Sequence, residues 1–133
     1  LASVNAKIEC DKVFSENRPH VVFHAAAYKH VPIQELHPWT AVNTNIGGTL
    51  NMVELSDKYF VDKFVLVSTD KAVNPVNVMG ATKRASEKLI QSFNATSNNF
   101  NSAIKDLDPS VGSFRLTEFN IKPLFEVNGM FKF

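Results

Sequence analysis

Three consecutive residues with different proton chemistry, Thr69-Asp70-Lys71, stand just after an apolar run near the middle of the chain. A hydroxyl, a carboxylate and an ammonium side by side can divide general acid and general base work on one substrate. The same residues also fit a polar loop with an aspartate turn, because such residues often follow strands. The spacing alone leaves both interpretations open.

Met79 and Lys83 form a second candidate pair, because they stand four positions apart at the start of a predicted helix. Residues at this spacing share a helix face, so both would point back toward the same strand end. The alternative is a core methionine beside a surface lysine. His24, His30 and His37 have no cysteine or carboxylate at metal-ligand spacing, so the sequence predicts no metal site.

Apolar runs and helical periodicity predict the elements that position these residues. The predicted helices are residues 6–17, 38–58 and 81–93, and the predicted strands are residues 20–25 and 63–68. The first helix has Ile8, Val13 and Phe14 on one side, and the first strand is expected to be buried on both faces. Strands that alternate with helices predict a parallel sheet, whose ligands bind at the carboxyl ends of the strands.

Composition narrows the class of protein. The 133 residues carry 14 Lys and Arg against 13 Asp and Glu, so we expect one domain without a basic surface for nucleic acid. No apolar run reaches the roughly 18 to 20 residues that span a bilayer, and no leader is recognisable; we expect a soluble, cytoplasmic chain. The single cysteine, Cys10, excludes an internal disulfide and suits a reducing compartment.

Three stretches carry a resemblance to a known family: His24-Ala-Ala-Ala-Tyr-Lys-His-Val-Pro32, Asn45-Ile-Gly-Gly-Thr49 and the 17 residues from Ser68 to Arg84. Together they resemble the polysaccharide-biosynthesis (CapD-like) nucleotide-sugar 4,6-dehydratases, a branch of the extended short-chain dehydrogenase/reductases. The resemblance implies a Rossmann-type, three-layer α/β/α domain that holds NAD and acts on a UDP-N-acetylhexosamine such as UDP-N-acetylglucosamine. It also implies a homo-oligomer when full length, and a full-length relative could be anchored to the inner membrane.

The resemblance implies a role for each matching residue in the reaction of that family. Hydride leaves sugar C4 for NAD, a base removes the C5 proton, water leaves C6, and the hydride returns to C6. Carried onto this chain, Asp70 resembles the acid at C6, Lys71 the base at C5 and Thr69 the hydroxyl that orients O4. Lys83 matches the lysine that bonds the nicotinamide ribose. Met79 stands in the place of the superfamily tyrosine, so a water or another side chain must accept the O4 proton.

The resemblance also implies a cofactor-binding set. Its members are Ser3, Val4, Ala25, Ala26, Ala27, Lys29, Asn45, Ser68 and Lys83. Small side chains after the first strand let the cofactor approach the backbone. For Lys29 a solvated loop position stays open, and for Asn45 a structural hydrogen bond is an equal alternative. Ser3 stands where the family has the aspartate that contacts adenine.

Other parts of the family pattern are not recognisable in these residues. No glycine-rich phosphate loop is present, and only Phe114-Arg115 and Pro123-Leu124-Phe125 faintly resemble the substrate region. Because asparagine and serine are frequent from about Asn94, we expect residues 1–93 to be the C-terminal part of an NAD-binding domain and residues 94–133 an irregular, divergent tail. We expect weak NAD binding and no turnover by this chain alone.

Two other functions stay open. A nucleotide-sugar 4-epimerase shares the oxidation at C4 but needs no acid and base pair for elimination. A non-catalytic remnant could instead bury its open sheet edge against a full-length partner.

Overall fold

The computed structural model of the protein describes residues 1–96 and the strand Leu116–Phe119. Expectations for the asparagine-rich residues 98–101, for Phe114-Arg115 and for residues 123–125 lie outside the described residues. In chain order the elements are α1 (Lys7–Asn17), β1 (Val21–His24), α2 (Val31–Leu36), α3 (Pro38–Ala41), a π-helical segment (Val42–Gly47), α4 (Gly48–Lys58), β2 (Lys63–Val67), a 3-10 turn (Asp70–Ala72), α5 (Val78–Thr96) and β3 (Leu116–Phe119). The predicted alternation of helices and strands is confirmed.

Two connections that were not predicted to be helical form short helices. They are α2 after β1 and the 3-10 turn after β2. Pro32 lies in the first turn of α2. N–H groups in the first turn have no intrahelical partner, so the N–H that proline lacks costs the helix no hydrogen bond. The helix predicted at residues 81–93 is longer than its apolar pattern, because it begins at Val78 and ends at Thr96.

The long helix predicted from Pro38 to Lys58 contains one wider turn. The backbone stays helical throughout, but it is π-helical from Val42 to Gly47. Within this turn the carbonyl of Asn45 accepts the hydroxyl protons of Thr49, at 2.5 Å, and of Ser86, at 2.7 Å. Side-chain donors on a carbonyl of the helical ladder are a recognised cause of local distortion. Apolar periodicity does not reveal such a turn.

Within the residues that the structure describes, the sheet contains three strands in the order β1-β2-β3. β1 and β2 are parallel, with Val21 opposite Lys63 and His24 opposite Leu66, as the sequence predicts. β3 pairs antiparallel to β2, with Val67 opposite Leu116. The sequence analysis predicted no pairing for this stretch. β2 is therefore the central strand, which agrees with its continuous apolar run.

The prediction that β1 is buried on both faces is wrong for the described part of the chain. Val22 and His24 are buried, whereas Val21 and Phe23 are 43% and 68% exposed. Side chains of a strand alternate between its faces, so a strand covered on one face leaves every second residue in solvent. β1 is such a strand.

One apolar core lies between the helices and the sheet. Its buried members are Cys10, Phe14, Val22, Val53, Leu55, Val61, Phe64, Leu66 and Ile90. In α1 the inward face is formed by Cys10 and Phe14, while Ile8 and Val13 are exposed. The prediction that Ile8, Val13 and Phe14 share one side of this helix is therefore wrong at Ile8 and Val13. Cys10 and Phe14 are four positions apart and share the buried face, and neither Ile8 nor Val13 lies on it.

Candidate active site

The carboxyl ends of β1 and β2 lie at one edge of the sheet, because the two strands are parallel and end opposite each other at His24 and Leu66. The polar residues that follow each strand are therefore neighbours in space. Tyr28, after β1, donates its backbone N–H to the buried side chain of Asn45, and the buried side chain of Lys83 donates to the backbone carbonyl at the end of β2. The parallel pairing that the sequence predicts is confirmed, and it brings the two strand ends to the same edge.

Thr69, Asp70 and Lys71 form the turn that follows β2. Thr69 Oγ1 donates to Asp70 Oδ1 at 2.9 Å, and the backbone N–H of Lys71 donates to the same oxygen at 2.9 Å. Lys71 Nζ lies 3.9 Å from Asp70 Oδ1, and both side chains are more than half exposed. The turn thus presents a carboxylate and an ammonium to solvent at the sheet edge.

Asp70 is held as a carboxylate. The hydroxyl of Thr69 lowers the pKa of Asp70 most, burial opposes this, and the backbone N–H and the charge of Lys71 lower the pKa further. Donors to the charged form favour ionisation. In this state Asp70 is a proton acceptor, and a proton donor only after its surroundings change.

Helix α5 begins beside this turn and is capped by two side chains. Asn77 Oδ1 accepts the N–H of Gly80 at 2.8 Å, and Glu35 Oε1 accepts the N–H of Val78 at 2.6 Å. A Cβ on Gly80 would lie 2.4 Å from the carbonyl oxygen of Lys71. The helix start and the Asp70–Ala72 turn therefore touch through backbone atoms, and only glycine allows this approach.

Met79 and Lys83 are both buried, at 4% and 7% exposure. Lys83 Nζ donates to the carbonyl of Val67, the last residue of β2, at 2.9 Å. Burial lowers the pKa of Lys83, while the carboxylate of Glu87 raises it. Of the two alternatives from the sequence, the surface lysine is therefore wrong, because this ammonium is fixed against the strand end.

Asn45 joins the two sides of the site. Its Oδ1 accepts the backbone N–H of Tyr28 at 2.8 Å, and its Nδ2 donates to the carbonyl of Tyr28 at 3.3 Å and to Thr82 Oγ1 at 2.9 Å. The side chain is 1% exposed, and each of its polar atoms has a protein partner. The structure thus shows the structural hydrogen bond that the sequence left open, while a cofactor contact of Asn45 stays a prediction.

His24 is a buried residue that the sequence analysis considered only as a metal ligand. Its Nε2 lies 2.9 Å from Thr49 Oγ1. Because Thr49 gives its one proton to the Asn45 carbonyl, the imidazole Nε2–H is the donor of this bond. Burial, together with the charge of Lys83, lowers the pKa of His24 to about 4, so the ring is neutral near pH 7.

Ser68 is buried and donates to Glu87 Oε1 at 2.6 Å. Arg84 Nη1 donates to Glu87 Oε2 at 2.9 Å. Sequence reasoning missed Glu87, although a signal was present: it stands four positions after Lys83, on the same face of α5. Cofactor contact by Ser68 stays a prediction.

The remaining predicted cofactor residues lie in two places. Ala25, Ala26, Ala27 and Lys29 follow β1, where Ala27 is half-buried and the other three are exposed. Ser3 lies just before α1, where its carbonyl accepts the N–H of Ala6, and Val4 lies against α4, where its carbonyl accepts the side-chain N–H of Asn51 at 3.0 Å. Their contacts with a cofactor stay predictions.

The part of the chain that the structure describes, residues 1–96 and 116–119, holds neither a metal-ligating cluster nor a membrane-spanning helix. Within these ranges no group of three or more His, Cys, Asp or Glu side chains is placed to hold a metal ion. No helix in the same ranges has the length and apolar character needed to cross a bilayer.

The fold defines the class of protein. The UDP-glucose 4-epimerase of Thermus thermophilus, solved in complex with NAD, superposes with a TM-score of 0.69 at 25% identity over 72% of this chain and 36% of that one. Together with the parallel strands, this places the chain among Rossmann-type short-chain dehydrogenase/reductases. Residues 1–106 match the family described as polysaccharide biosynthesis protein, and the chain belongs to that family.

Two relatives give the scale of the match. The capsular polysaccharide biosynthesis protein CapD of Staphylococcus aureus is 52% identical over 94 residues, which are 71% of this chain and 16% of that protein. A UDP-N-acetylglucosamine 4,6-dehydratase (inverting) of Campylobacter jejuni is 49% identical over 78 residues, 59% of this chain and 23% of that enzyme. The chain thus spans between about a sixth and a quarter of these relatives.

Proposed function

We propose that this chain carries the catalytic centre of an NAD-dependent UDP-sugar 4,6-dehydratase of polysaccharide biosynthesis, with UDP-N-acetylglucosamine as the substrate class. The observation that carries the proposal is the pair of exposed side chains, Asp70 and Lys71, on the turn after β2. Lys71 Nζ lies 3.9 Å from Asp70 Oδ1, and the buried Lys83 is bonded to the end of the same strand. The names of the Staphylococcus aureus and Campylobacter jejuni relatives support the same function. A cytoplasmic location and a homo-oligomer remain expectations.

The residues of the sheet edge fit the nicotinamide half of NAD. Ala25 and Ala26 are exposed and have small side chains, so a planar ring can approach the backbone there. The Lys83 ammonium lies nearby, at the end of β2. The chemistry that bound NAD would supply is transfer of a hydride away from sugar C4 and back to C6.

The chain's own groups divide the elimination between them. With C4 as a ketone the C5 proton is acidic; the Lys71 amine takes it, the C6–O bond breaks, and Asp70 gives its proton to the departing hydroxyl to form water. Thr69 orients O4, and Lys83 adds positive charge beside the reacting carbons. In the free turn Asp70 is a carboxylate and Lys71 an ammonium, so the elimination first requires the Lys71 proton to pass to Asp70, which leaves the amine as base and the carboxyl as acid. A bound sugar that excludes water and raises the pKa of Asp70 favours this transfer.

The second candidate is a nucleotide-sugar 4-epimerase. The observation in its favour is the fold shared with the Thermus thermophilus UDP-glucose 4-epimerase. An epimerase needs the hydride transfer at C4 but no proton donor at C6. The two functions therefore differ in what they require of Asp70.

A segment exchange tests the proposal. The Campylobacter jejuni dehydratase receives this chain's residues in place of its matching segment and is mixed with UDP-N-acetylglucosamine labelled at the C6 oxygen. We expect 4-keto-6-deoxy product and labelled water. Asp70→Asn slows water release by about 10² to 10⁴, the usual contribution of positioned proton transfer, while NADH absorbance still reports oxidation at C4.

Asp62→Asn is the matched control. Asp62 is an exposed carboxylate just before β2, at the opposite end of the strand, paired with His20. We expect this variant to release water at the parent rate. Equal rates for Asp70→Asn and Asp62→Asn would refute the dehydratase roles and favour the epimerase.

A further inference from the structure

Glu87 is a buried carboxylate to which the proposed mechanism gives no task. It lies in α5 and is 1% exposed. A buried charge is costly unless it is paired and hydrogen-bonded. Both oxygens of Glu87 meet this condition with different partners, Ser68 on one side and Arg84 on the other. The carboxylate is therefore held in one orientation.

The partners of Glu87 and Lys83 are consecutive residues of the chain. Lys83 Nζ donates to the carbonyl of Val67 at 2.9 Å, and Ser68 Oγ donates to Glu87 Oε1 at 2.6 Å. Lys83 and Glu87 are one helical turn apart and share a face of α5. The end of β2 is thus attached to the helix at two adjacent positions, directly before the turn that begins at Thr69.

Glu87 also contributes to the electrostatic surroundings of Lys83. Burial lowers the pKa of Lys83, and the Glu87 carboxylate is the charge that raises it. On β1, the titratable group that interacts with Lys83 is His24, whose ring is neutral near pH 7. From β2 the ammonium meets an uncharged carbonyl. The charge of Lys83 in its buried position is therefore supported by Glu87.

We propose that Glu87 is the positioning residue of this site, holding the Thr69 to Lys71 turn through Ser68 and the ammonium of Lys83 through charge. Its importance for the reaction rests on the proposed function, but the Ser68 hydrogen bond and the electrostatic effect on Lys83 do not. A packing role alone would be met by an apolar side chain, because a buried ion pair adds little net stability over a well-packed apolar replacement.

Glu87→Gln removes the charge, keeps the shape and leaves an oxygen that can accept the Ser68 proton. In the 133-residue chain we expect the pKa of Lys83, followed by NMR of its side-chain carbon and nitrogen, to fall. Arg84→Gln is the matched control, since it removes the other partner of Glu87. It removes a positive charge, so the pKa of Lys83 does not fall. An unchanged pKa of Lys83 in Glu87→Gln would overturn the proposal.

Ser68→Ala tests the second contact. The N–H of Ala72, bonded to the Thr69 carbonyl at 3.0 Å, reports the order of the turn. We expect its hydrogen exchange to quicken about tenfold, as for loss of one hydrogen bond to a charged group, with the pKa of Lys83 kept. Exchange at the parent rate would contradict the positioning role.

Glu87→Asp keeps the charge on a shorter side chain and serves if Glu87→Gln does not fold. We expect faster exchange at Ala72 with a pKa of Lys83 nearer the parent value than in Glu87→Gln; a parent exchange rate would overturn the proposal. None of these measurements needs cofactor or sugar. If the segment exchange gives no dehydratase but the pKa of Lys83 and the exchange at Ala72 change as expected, the proposed function alone is refuted. If the segment exchange gives an active dehydratase but neither quantity changes, the role of Glu87 alone is refuted.

Discussion

At the level of single residues, the ionisation of Asp70 connects the structure most directly to the proposed reaction. The side chain is exposed, and its charge is stabilised mainly by a neighbouring hydroxyl and a backbone N–H. The backbone N–H of Lys71 belongs to the turn, whereas the Thr69 hydroxyl is also the group that the proposed mechanism assigns to O4. A raised pKa of Asp70 in a complex would therefore come from exclusion of water by the sugar and from turning of the Thr69 hydroxyl toward O4.

We expect Thr69→Val to raise the pKa of Asp70 toward its ordinary value, because the Thr69 hydroxyl is the largest cause of the lowered pKa. Carbon NMR of the Asp70 carboxyl across a pH titration measures it. Lys71→Met is the control: it removes the charge but keeps the backbone N–H, so the upward shift is smaller. A pKa of Asp70 that does not move in Thr69→Val would contradict this assignment.

At the level of elements, the relation between α5 and the Asp70–Ala72 turn depends on one glycine. The Cβ of any other residue at position 80 would lie only 2.4 Å from the carbonyl oxygen of Lys71. Met79 and Lys83 are carried by the helix, and Asp70 and Lys71 by the turn. The approach at Gly80 therefore sets the distance between the two halves of the site.

Gly80→Ala should destabilise the chain by about 1 to 3 kcal/mol in urea unfolding, because a backbone atom must move to admit the methyl group. Hydrogen exchange at Ala72 and Val73, whose N–H groups close the turn, should quicken as well. Gly47→Ala is the matched control. A Cβ there has nothing within 4 Å, and alanine favours a helix by about 0.5 to 1 kcal/mol over glycine.

The sign of the effect decides the outcome. Destabilisation by Gly80→Ala together with stabilisation by Gly47→Ala supports the close approach. Equal small stabilisation by both would show that α5 and the turn are not in contact.

At the level of the whole molecule, the buried polar residues link folding to pH. His24 has a pKa of about 4 in the folded chain, against an ordinary value of 6.5. Between these values the unfolded chain binds a proton that the folded chain does not. The free energy of unfolding therefore falls as the pH is lowered from about 6.5 to about 4, by up to about 3 kcal/mol from this residue.

Urea unfolding from pH 7 to pH 4 measures this dependence. His24→Gln keeps an N–H donor for Thr49 and cannot titrate, so the loss of stability over this window should shrink. His20→Gln is the control, because His20 is 86% exposed in its pair with Asp62 and such surface pairs contribute little. The assignment is wrong if both variants keep the parent dependence.

The sequence by itself determined most of the elements and predicted where the site lies. Helical periodicity and apolar runs located α1, the helical stretch from Pro38 to Lys58, α5, β1 and β2 to within a few residues, because burial repeats with the period of the element. Parallel strands then required that the residues after His24 and after Val67 meet at one edge. The family followed from motif residues that lie at this edge.

Tertiary structure alone decided the partners and the protonation states. Asn45 bonds Thr82, 37 positions away, and Ser68 bonds Glu87, 19 positions away. The π-helical turn, the neutral ring of His24, the buried Lys83 and the antiparallel β3 all depend on contacts of this kind. A periodic pattern records which face of an element is buried, but hydrogen bonds and pKa values depend on the atoms that other parts of the chain bring to that face.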